Sequence, residues 1–140
     1  MNYVRFARLL ALVAGLLDFG AGLGLVFLPG AVLPRMGISV PVGDALVYLR
    51  FVGAFVAAVG TSYLSALLLG GIPRLRGVLE FTMPFRMATG LFSVVAIARG
   101  WLTTAWAGVP ASDFALIGIQ LWLITKLPPY DALTSSSPSL

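Results

Sequence analysis

The 140-residue sequence contains no cysteine and no histidine, and it carries only nine basic and five acidic residues. Without cysteine and histidine, disulfides, thiolate or imidazole metal sites, histidine-held haem and Ser-His or Cys-His catalysis are excluded. The charged share of 10% is far below the share of about a quarter that is usual in soluble domains. Because 59% of the residues are hydrophobic, a soluble protein would have too little polar surface to cover them. The composition therefore indicates an integral membrane protein.

Three long apolar runs, each with only one or two charged residues, predict membrane-spanning helices. These runs are residues 9–28, 45–69 and 78–98. Each is long enough to cross a hydrocarbon core of about 30 Å, which needs about 20 residues in a helix. The alternating segments of about ten residues that build a membrane β-barrel do not occur in the sequence. The predicted fold class is therefore all-α.

A fourth span is predicted over residues 111–127, which completes a four-helix transmembrane bundle. Ser112 and Asp113 resemble an N-cap, and Pro128 prevents the helix from continuing. Trp122 near the end of this run is typical of an interfacial anchor. The 17 residues of this run are at the lower limit for a spanning helix. A re-entrant or surface helix is therefore the alternative.

Basic residues in the short loops predict the orientation of the chain in the membrane. With four spans, five basic residues fall on one side, namely Arg5, Arg8, Arg74, Arg76 and Lys126, and the loops opposite hold only Arg35 and Arg99. This asymmetry predicts that both termini lie in the cytoplasm. The formal charge of +4 is mostly this topology signal, and no basic stripe interleaved with aromatics indicates nucleic-acid binding.

The two ends of the chain carry their own expectations. The N-terminus could be a signal peptide, but the apolar run continues past Asp18 and no A-x-A pattern closes it, so we expect an uncleaved first span. Residues 1–130 are expected to form one transmembrane domain. Residues 131–140 are rich in serine and predict a flexible cytoplasmic tail.

Small residues recur at helical spacing in the first three spans and predict where the helices pack, because membrane helices associate by close backbone approach. The rows are Ala11, Gly15, Asp18 and Gly22; Gly53, Ala57, Thr61 and Ser65, with Gly60 beside them and Ala54, Ala58 and Ser62 parallel; and Thr82, Arg86, Gly90 and Ser93. Gly20 and Gly24 add a GxxxG pair on a second side of the first span. These faces could simply hold a monomer together, or the surplus face could contact another protein, a lipid or a flat prosthetic molecule.

Two charged residues lie deep in the predicted spans, where an ionisable group costs about 2.5–3.5 kcal/mol. Asp18 lies about 13 Å and Arg86 about 12 Å from the same side of the membrane, at 1.5 Å per helical residue. Both residues occur on small-residue faces, so we predict that they pair inside the bundle. The pair would be a neutral clamp on helix register, or else a proton relay or an anion site. The sequence offers no histidine and no second nearby carboxylate to extend a proton path.

Four further polar or special residues occur in the spans. Arg50 is near the outer end of its span, where it can snorkel or meet Asp44 or Asp113, and Glu80 is near the cytoplasmic interface, among arginines that can satisfy it. Pro84 is predicted to kink the third helix beside Arg86. Gln120 is predicted to form a hydrogen bond between helices.

The second span carries a motif that resembles small bacterial membrane proteins of the DoxX-like kind. It reads Arg50-Phe51-x-Gly53-x-Phe55-x4-Gly60-x2-Tyr63-Leu64. The resemblance implies four helices in a bacterial cytoplasmic membrane, with an arginine opening a glycine-spaced helix. Some DoxX-like proteins are associated with quinone-linked oxidoreductase complexes, and the resemblance implies no catalytic residue for this chain.

These features predict an accessory or structural subunit that packs against a larger membrane protein complex and holds lipid or a partner's cofactor at the interface. The alternative is a small-molecule or lipid-binding or transport protein acting as a homo-oligomer, with Asp18, Arg86 and Glu80 lining a cavity near Pro84. A membrane enzyme that uses Glu80 or Asp18 as an acid or base is the weakest of the three hypotheses. We expect no metal site, no cofactor of its own and no nucleic-acid partner.

Overall fold

The computed structural model describes residues 2–129, which form helices and contain no β-strand. Five α-helices follow one another in chain order, and a single 3-10 turn, Thr104–Ala107, precedes the last of them. They are α1 (Tyr3–Phe27), α2 (Pro29–Arg35), α3 (Asp44–Leu69), α4 (Ile72–Ala98) and α5 (Gly108–Ile124). The predicted all-α fold class is confirmed. The predicted tail, residues 131–140, lies outside the described residues.

Four segments are long and apolar enough to cross a membrane. They are Tyr3–Phe27, Asp44–Leu69, Ile72–Ala98 and Thr104–Ile124. The fourth segment has 21 residues, which at 1.5 Å per residue is enough for a hydrocarbon core of about 30 Å. The prediction of four helices of spanning length is therefore confirmed, with the fourth segment longer than its apolar run alone indicates.

Two of the spans begin six residues earlier than their apolar runs. Helix α1 begins at Tyr3 because Asn2 caps it, with the Asn2 side-chain oxygen accepting a hydrogen bond from the Arg5 backbone nitrogen at 3.2 Å. Helix α4 begins at Ile72, and Pro73 occupies its first turn, where a missing N–H costs nothing. Both starts precede the predicted ones by the same six residues. The predicted agreement in depth between Asp18 on α1 and Arg86 on α4 is therefore unaffected.

The predicted N-cap of the fourth span is wrong. Helix α5 begins at Gly108, so Ser112 and Asp113 both lie inside it, and the Ser112 hydroxyl donates to the Val109 carbonyl at 2.9 Å. Pro110 lies in the first turn, where the backbone needs no N–H donor. The helix also ends at Ile124, before the predicted end at residue 127.

Helices α1 and α3 pack antiparallel with their backbones in direct contact. A Cβ atom at Gly22 would lie 2.3 Å from the backbone nitrogen of Ala57, and one at Gly60 would lie 2.3 Å from the backbone nitrogen of Phe19. Atoms cannot approach so closely, so only glycine allows this contact. We call this contact the α1–α3 seam.

Helices α4 and α5 form a second antiparallel pair, against which the first pair packs. The start of α1 and the end of α5 meet at one end of the bundle. There the ring of Trp122 lies 5.8 Å from the rings of both Tyr3 and Phe6, edge to face. This arrangement gathers both described ends of the chain at the same end of the bundle.

The small-residue rows divide into buried and exposed parts. Gly15, Gly22, Gly53, Ala57, Gly60 and Gly90 are all buried between helices. The row on α3 does not continue to Thr61, which is exposed, because the buried face runs on through Tyr63 and Ala66. On the second side of α1, Gly24 packs against α2, where a Cβ atom at Gly24 would lie 3.0 Å from Cγ2 of Val32, whereas Gly20 has open space around it. Of the two glycines on that second side of α1, Gly24 therefore belongs to a contact within the chain.

Candidate functional site

Polar side chains from all four spanning segments meet between the helices, and all of them except the exposed Thr89 and the half-buried Asp18 are buried. They are Asp18 from α1, Tyr63 from α3, Thr82, Arg86 and Thr89 from α4, and Asp113 and Gln120 from α5. We call this group the Arg86 cluster. A polar group surrounded by lipid and apolar side chains must find its partners within the protein. The cluster does so across every spanning helix.

Arg86 is the centre of this cluster and is only 5% exposed. Its Nη2 donates to Oδ2 of Asp18, and its Nη1 donates to Oδ1 of Asp113 at 2.9 Å. Its Nε lies 3.5 Å from the Tyr63 hydroxyl, and its guanidinium carbon lies 5.7 Å from the centre of the Tyr63 ring. One planar guanidinium therefore contacts the other three spanning helices, which its five donors in a fixed fork make possible. The structure brings together Asp18 and Arg86, the two residues predicted to pair from their equal depth.

Asp113 is the partner that the sequence did not reveal. We predicted that it caps a helix beside an outer loop and is available to Arg50, but it is 7% exposed and bonded to Arg86. The Thr89 hydroxyl donates to its second oxygen, Oδ2, at 2.6 Å. The expectation that no second carboxylate lies near Asp18 is therefore wrong. Asp113 and Gln120 are seven residues apart, which places them on one face of a helix, and this spacing was the available signal.

The inner part of the cluster is a set of neutral hydrogen bonds around Tyr63. The Tyr63 hydroxyl lies 2.7 Å from Oγ1 of Thr82, which in turn donates to the Val78 carbonyl at 2.8 Å. The Gln120 amide nitrogen donates to the Tyr63 hydroxyl and, at 3.1 Å, to Thr82. Gln120 therefore links α5 to both α3 and α4. Its Oε1 is the one buried side-chain polar atom of residues 2–129 without a hydrogen-bond partner.

The formal charge of the cluster differs from the neutral pair predicted from the sequence. Arg86 carries one positive charge, and Asp18 and Asp113 each carry a negative charge when ionised, so the sum is −1. In place of the predicted neutral pair, the structure has a group of three charged residues with one more carboxylate than arginine. Among the described residues, no group of three or more Asp or Glu side chains is placed to hold a metal ion.

Glu80 lies apart from the Arg86 cluster. Its Oε1 accepts a hydrogen bond from Nε of Arg76 at 2.8 Å, one helical turn away on α4. Arg76 Nη1 also donates to the carbonyls of Ile124, Leu127 and Pro128, at 3.3, 3.1 and 3.0 Å. Ile124 is the last residue of α5 and the other two follow it, so the cation of Arg76 lies at the negative end of the helix dipole. Glu80 and Arg76 therefore join α4 to the end of α5.

Arg50 and Pro84 contribute no group to the cluster. Arg50 is exposed, and Asp113, one of its two predicted partners, is bonded to Arg86 instead. Helix α4 runs without a break through Pro84, which lies on the exposed side of the helix. The kink predicted at Pro84 stays a prediction.

A cleft of about 260 Å³ reaches Asp18 between α1 and α5. It is lined by apolar side chains such as Leu17 and Leu116, together with Ser112 and Asp18. Neither Glu80 nor Pro84 lines it, so the predicted cavity that joins Asp18 and Glu80 near Pro84 is not found there. Asp18 is the one ionisable group in its lining.

Comparison with protein-family models, with curated proteins and with solved structures found no match to this chain. The resemblance to DoxX-like proteins therefore stays a prediction from the motif in α3. Among the residues of that motif, Gly53 and Gly60 pack against α1, and Tyr63 belongs to the Arg86 cluster.

Proposed function

We propose that this chain is a small accessory subunit that packs against a larger membrane protein complex in a bacterial cytoplasmic membrane. Its termini lie in the cytoplasm in this proposal, because the basic residues of the loops concentrate at the end where α1 begins and α5 ends. The DoxX-like resemblance of α3 supports the same membrane and the same class of protein.

One observation carries the proposal: a row of small side chains on the outward side of α3. Ala54, Ala58 and Thr61 are exposed, and Ser65 is half-buried. The spacing of four, three and four residues places them on one face of the helix. Small residues allow helix backbones to approach closely in a membrane, whereas contact with lipid does not require them. The row is therefore suited to the backbone of a partner helix.

The exposed side of α4 differs and provides the reference for comparison. There the outward residues at the same helical spacing are mostly bulky, with Phe81 66%, Phe85 46% and Phe92 62% exposed. Bulky apolar side chains of this kind fill the space between acyl chains. The contrast is confined to the row from Ala54 to Ser65, because Phe51 and Phe55 of α3 are themselves 60% and 56% exposed. In this proposal that row faces protein and the exposed side of α4 faces lipid.

A groove of about 320 Å³ between α3 and α4 runs beside the small row. Its apolar lining includes Leu69, Val78 and Phe81, and Arg74 lies at its edge. Arg74 is exposed at the end of the bundle where the chain begins. A lipid with an anionic headgroup fits this combination, with the headgroup on Arg74 and an acyl chain along the groove. The subunit therefore holds a lipid at its interface with the partner in this proposal.

The alternative of a ligand-binding or transport protein has less support. Small-molecule sites commonly have volumes of about 300–1,000 Å³ and enclose most of the ligand. The cleft at Asp18 has about 260 Å³ and is open along one side. A single copy of the chain therefore offers little room for a small molecule beside the Arg86 cluster.

The test compares two identical substitutions on the two exposed faces. The tagged chain is produced in the organism that encodes it, as wild type, Ala58→Leu and Ala88→Leu, and is extracted with a mild detergent. Ala88 is exposed among the phenylalanines of α4, so it is the matched control. We expect larger membrane proteins to co-purify with the wild type and with Ala88→Leu, and to be lost with Ala58→Leu. A wild-type protein that is a clean monomer in native mass spectrometry, or an Ala58→Leu variant that retains the same partners, contradicts the proposal.

A further inference from the structure

When both carboxyl groups of the Arg86 cluster are ionised, its negative charges outnumber its positive charges by one. Asp18, Asp113, Arg86 and Tyr63 are the titratable groups that meet there, one from each spanning helix. With both carboxyl groups ionised, the cluster sums to −1 at a depth where an uncompensated charge is costly. A bound cation removes this cost. The smallest cation, a proton, needs no additional space and no ligand set.

The two carboxyl groups differ in how well their ionised forms are bonded. Both oxygens of Asp113 accept hydrogen bonds, from Arg86 at 2.9 Å and from Thr89 at 2.6 Å. Only Oδ2 of Asp18 accepts one, and no group of residues 2–129 donates to its Oδ1. Hydrogen bonds to an ionised carboxylate favour the ionised form. The carboxylate of Asp113 therefore has a donor for each oxygen, whereas one oxygen of Asp18 has none.

Asp18 is also the carboxyl group that lies nearer to the outside of the bundle. Its side chain is 19% exposed, against 10% for Asp113. It lines the cleft between α1 and α5, and Asp113 does not. The unbonded oxygen, the exposure and the cleft all point to the same residue.

We propose that the Arg86 cluster is a proton-binding site, in which Oδ1 of Asp18 carries one exchangeable proton where Asp18 lines the cleft. The Asp18 carboxylate gains a proton and becomes a neutral carboxyl, and no other bond forms or breaks. The protonated cluster is then Arg86 paired with an ionised Asp113, with the neutral Asp18 carboxyl accepting from Arg86 through Oδ2. This site goes beyond the proposed role as an accessory subunit and does not depend on it.

The test is infrared spectroscopy of the full chain in liposomes at neutral pH, which detects the carbonyl stretch of a protonated carboxyl and its shift in D₂O. We expect this band in the wild type and in the control Glu80→Gln, because Glu80 is ion-paired with Arg76 outside the cluster. Asp18→Asn abolishes the band because it removes the proton carrier. Asp113→Asn also abolishes it, because the remaining Asp18 and Arg86 then form a neutral pair. A band that persists in either Asp variant overturns the proposal.

Thermal stability provides a second and independent test of the same site. Asparagine matches a protonated aspartic acid in shape and charge, so Asp18→Asn is expected to leave the Tm of the protein unchanged at neutral pH. Asp113→Asn is expected to lower the Tm because Asp113 is ionised. If Asp18→Asn lowers the Tm as much as Asp113→Asn does, Asp18 is ionised and the proposal fails. A wild type that shows no band and is stabilised by NaCl relative to choline chloride binds sodium ions instead, and this result also contradicts it.

Discussion

The α1–α3 seam and the Arg86 cluster hold the same bundle together in opposite ways. In the seam, Gly22 and Gly60 bring two backbones into contact because they have no side chain at all. In the cluster, Arg86 reaches three other helices because its side chain is long and has many donors. The seam therefore depends on the lack of side-chain atoms at its glycines, whereas the cluster depends on charged side chains.

The difference follows from the solvent of a membrane protein. Lipid chains are as apolar as leucine, so burying apolar side chains between helices yields little, and helices associate through packing and polar contacts. A seam of small residues uses packing alone and is damaged by an added methyl group. A polar cluster uses charge and is damaged when one partner is removed. Substitutions should therefore show that the seam is sensitive to added side-chain volume and that the cluster is sensitive to the loss of a charged partner.

The largest effect is expected from Arg86→Met, which removes the centre of the cluster. It leaves Asp18 and Asp113 buried without their common partner, and breaking a buried ion pair in this way costs about 3–5 kcal/mol. The free energy of unfolding is measured by titration with sodium dodecyl sulfate in mixed micelles, followed by helical circular dichroism. A loss below about 1 kcal/mol, the size of one ordinary hydrogen bond, would show that the cluster does not hold the helices.

The next effect is expected from Gly60→Ala in the seam. The new Cβ would lie 2.3 Å from the Phe19 backbone nitrogen, so α1 and α3 must move apart, and overpacking of this kind costs about 1–3 kcal/mol. Gly20→Ala is the matched control, because no neighbouring atom lies within 4 Å of its Cβ position. The same unfolding titration should show Gly20→Ala equal to or above wild type. Equal losses for both variants would show that close backbone contact in the seam does not stabilise the bundle.

A smaller loss is expected from Arg76→Met at the end of α5. The variant loses the hydrogen bonds to Glu80 and to the carbonyls at the end of α5 and just beyond it, but water and headgroups near the membrane surface replace part of them. We expect a loss of about 1 kcal/mol, the net value of a typical hydrogen bond, together with faster amide hydrogen exchange at residues 121–124. Arg74→Met is the control, since Arg74 is exposed and its side chain donates to the Leu69 carbonyl of α3, not to α5. If exchange at these residues is unchanged, Arg76 does not secure the end of the helix.

The smallest effect is expected from Gln120→Leu, although Gln120 is completely buried. The variant removes two hydrogen bonds but also removes the unpaired Oε1, and the Tyr63 hydroxyl keeps its bond to Thr82. An apolar residue of similar volume in place of a partly satisfied polar one is close to neutral. We expect the free energy of unfolding to change by less than about 1 kcal/mol in either direction. A loss as large as that of Arg86→Met would place Gln120 at the centre of the cluster instead.

The pairing of Asp18 with Arg86 shows what the sequence could establish. It requires only that the two residues are equally far from the starts of their helices, and both starts lie six residues earlier than their apolar runs. The error cancels, so the pairing does not depend on the exact ends of the helices. Length and composition likewise sufficed for four helices of spanning length.

Asp113 shows what the sequence could not establish. A serine and an aspartate before an apolar run are typical of an N-cap, and this local pattern outweighed the two-turn spacing from Asp113 to Gln120. What places Asp113 inside the helix is the turn from Gly108 to Ala111, whose residues have weak helix propensity apart from the alanine. Tyr63 was similarly outside the reach of the small-residue pattern, which predicted that the packed face of α3 continues through Thr61 and Ser65, whereas the buried face continues through Tyr63.

The central claim is that the carboxyl groups of Asp18 and Asp113 together hold Arg86, and a triple variant tests it most directly. Asp18→Asn and Asp113→Asn are combined with Arg86→Met, and the free energy of unfolding is compared with that of Arg86→Met alone. Replacing all members of a buried charged group is often close to neutral, whereas removing one member leaves the others uncompensated. We therefore predict that the triple variant recovers most of the stability that the single variant loses. A triple variant that is as unstable as Arg86→Met, or less stable, would contradict the claim that these three residues form one unit.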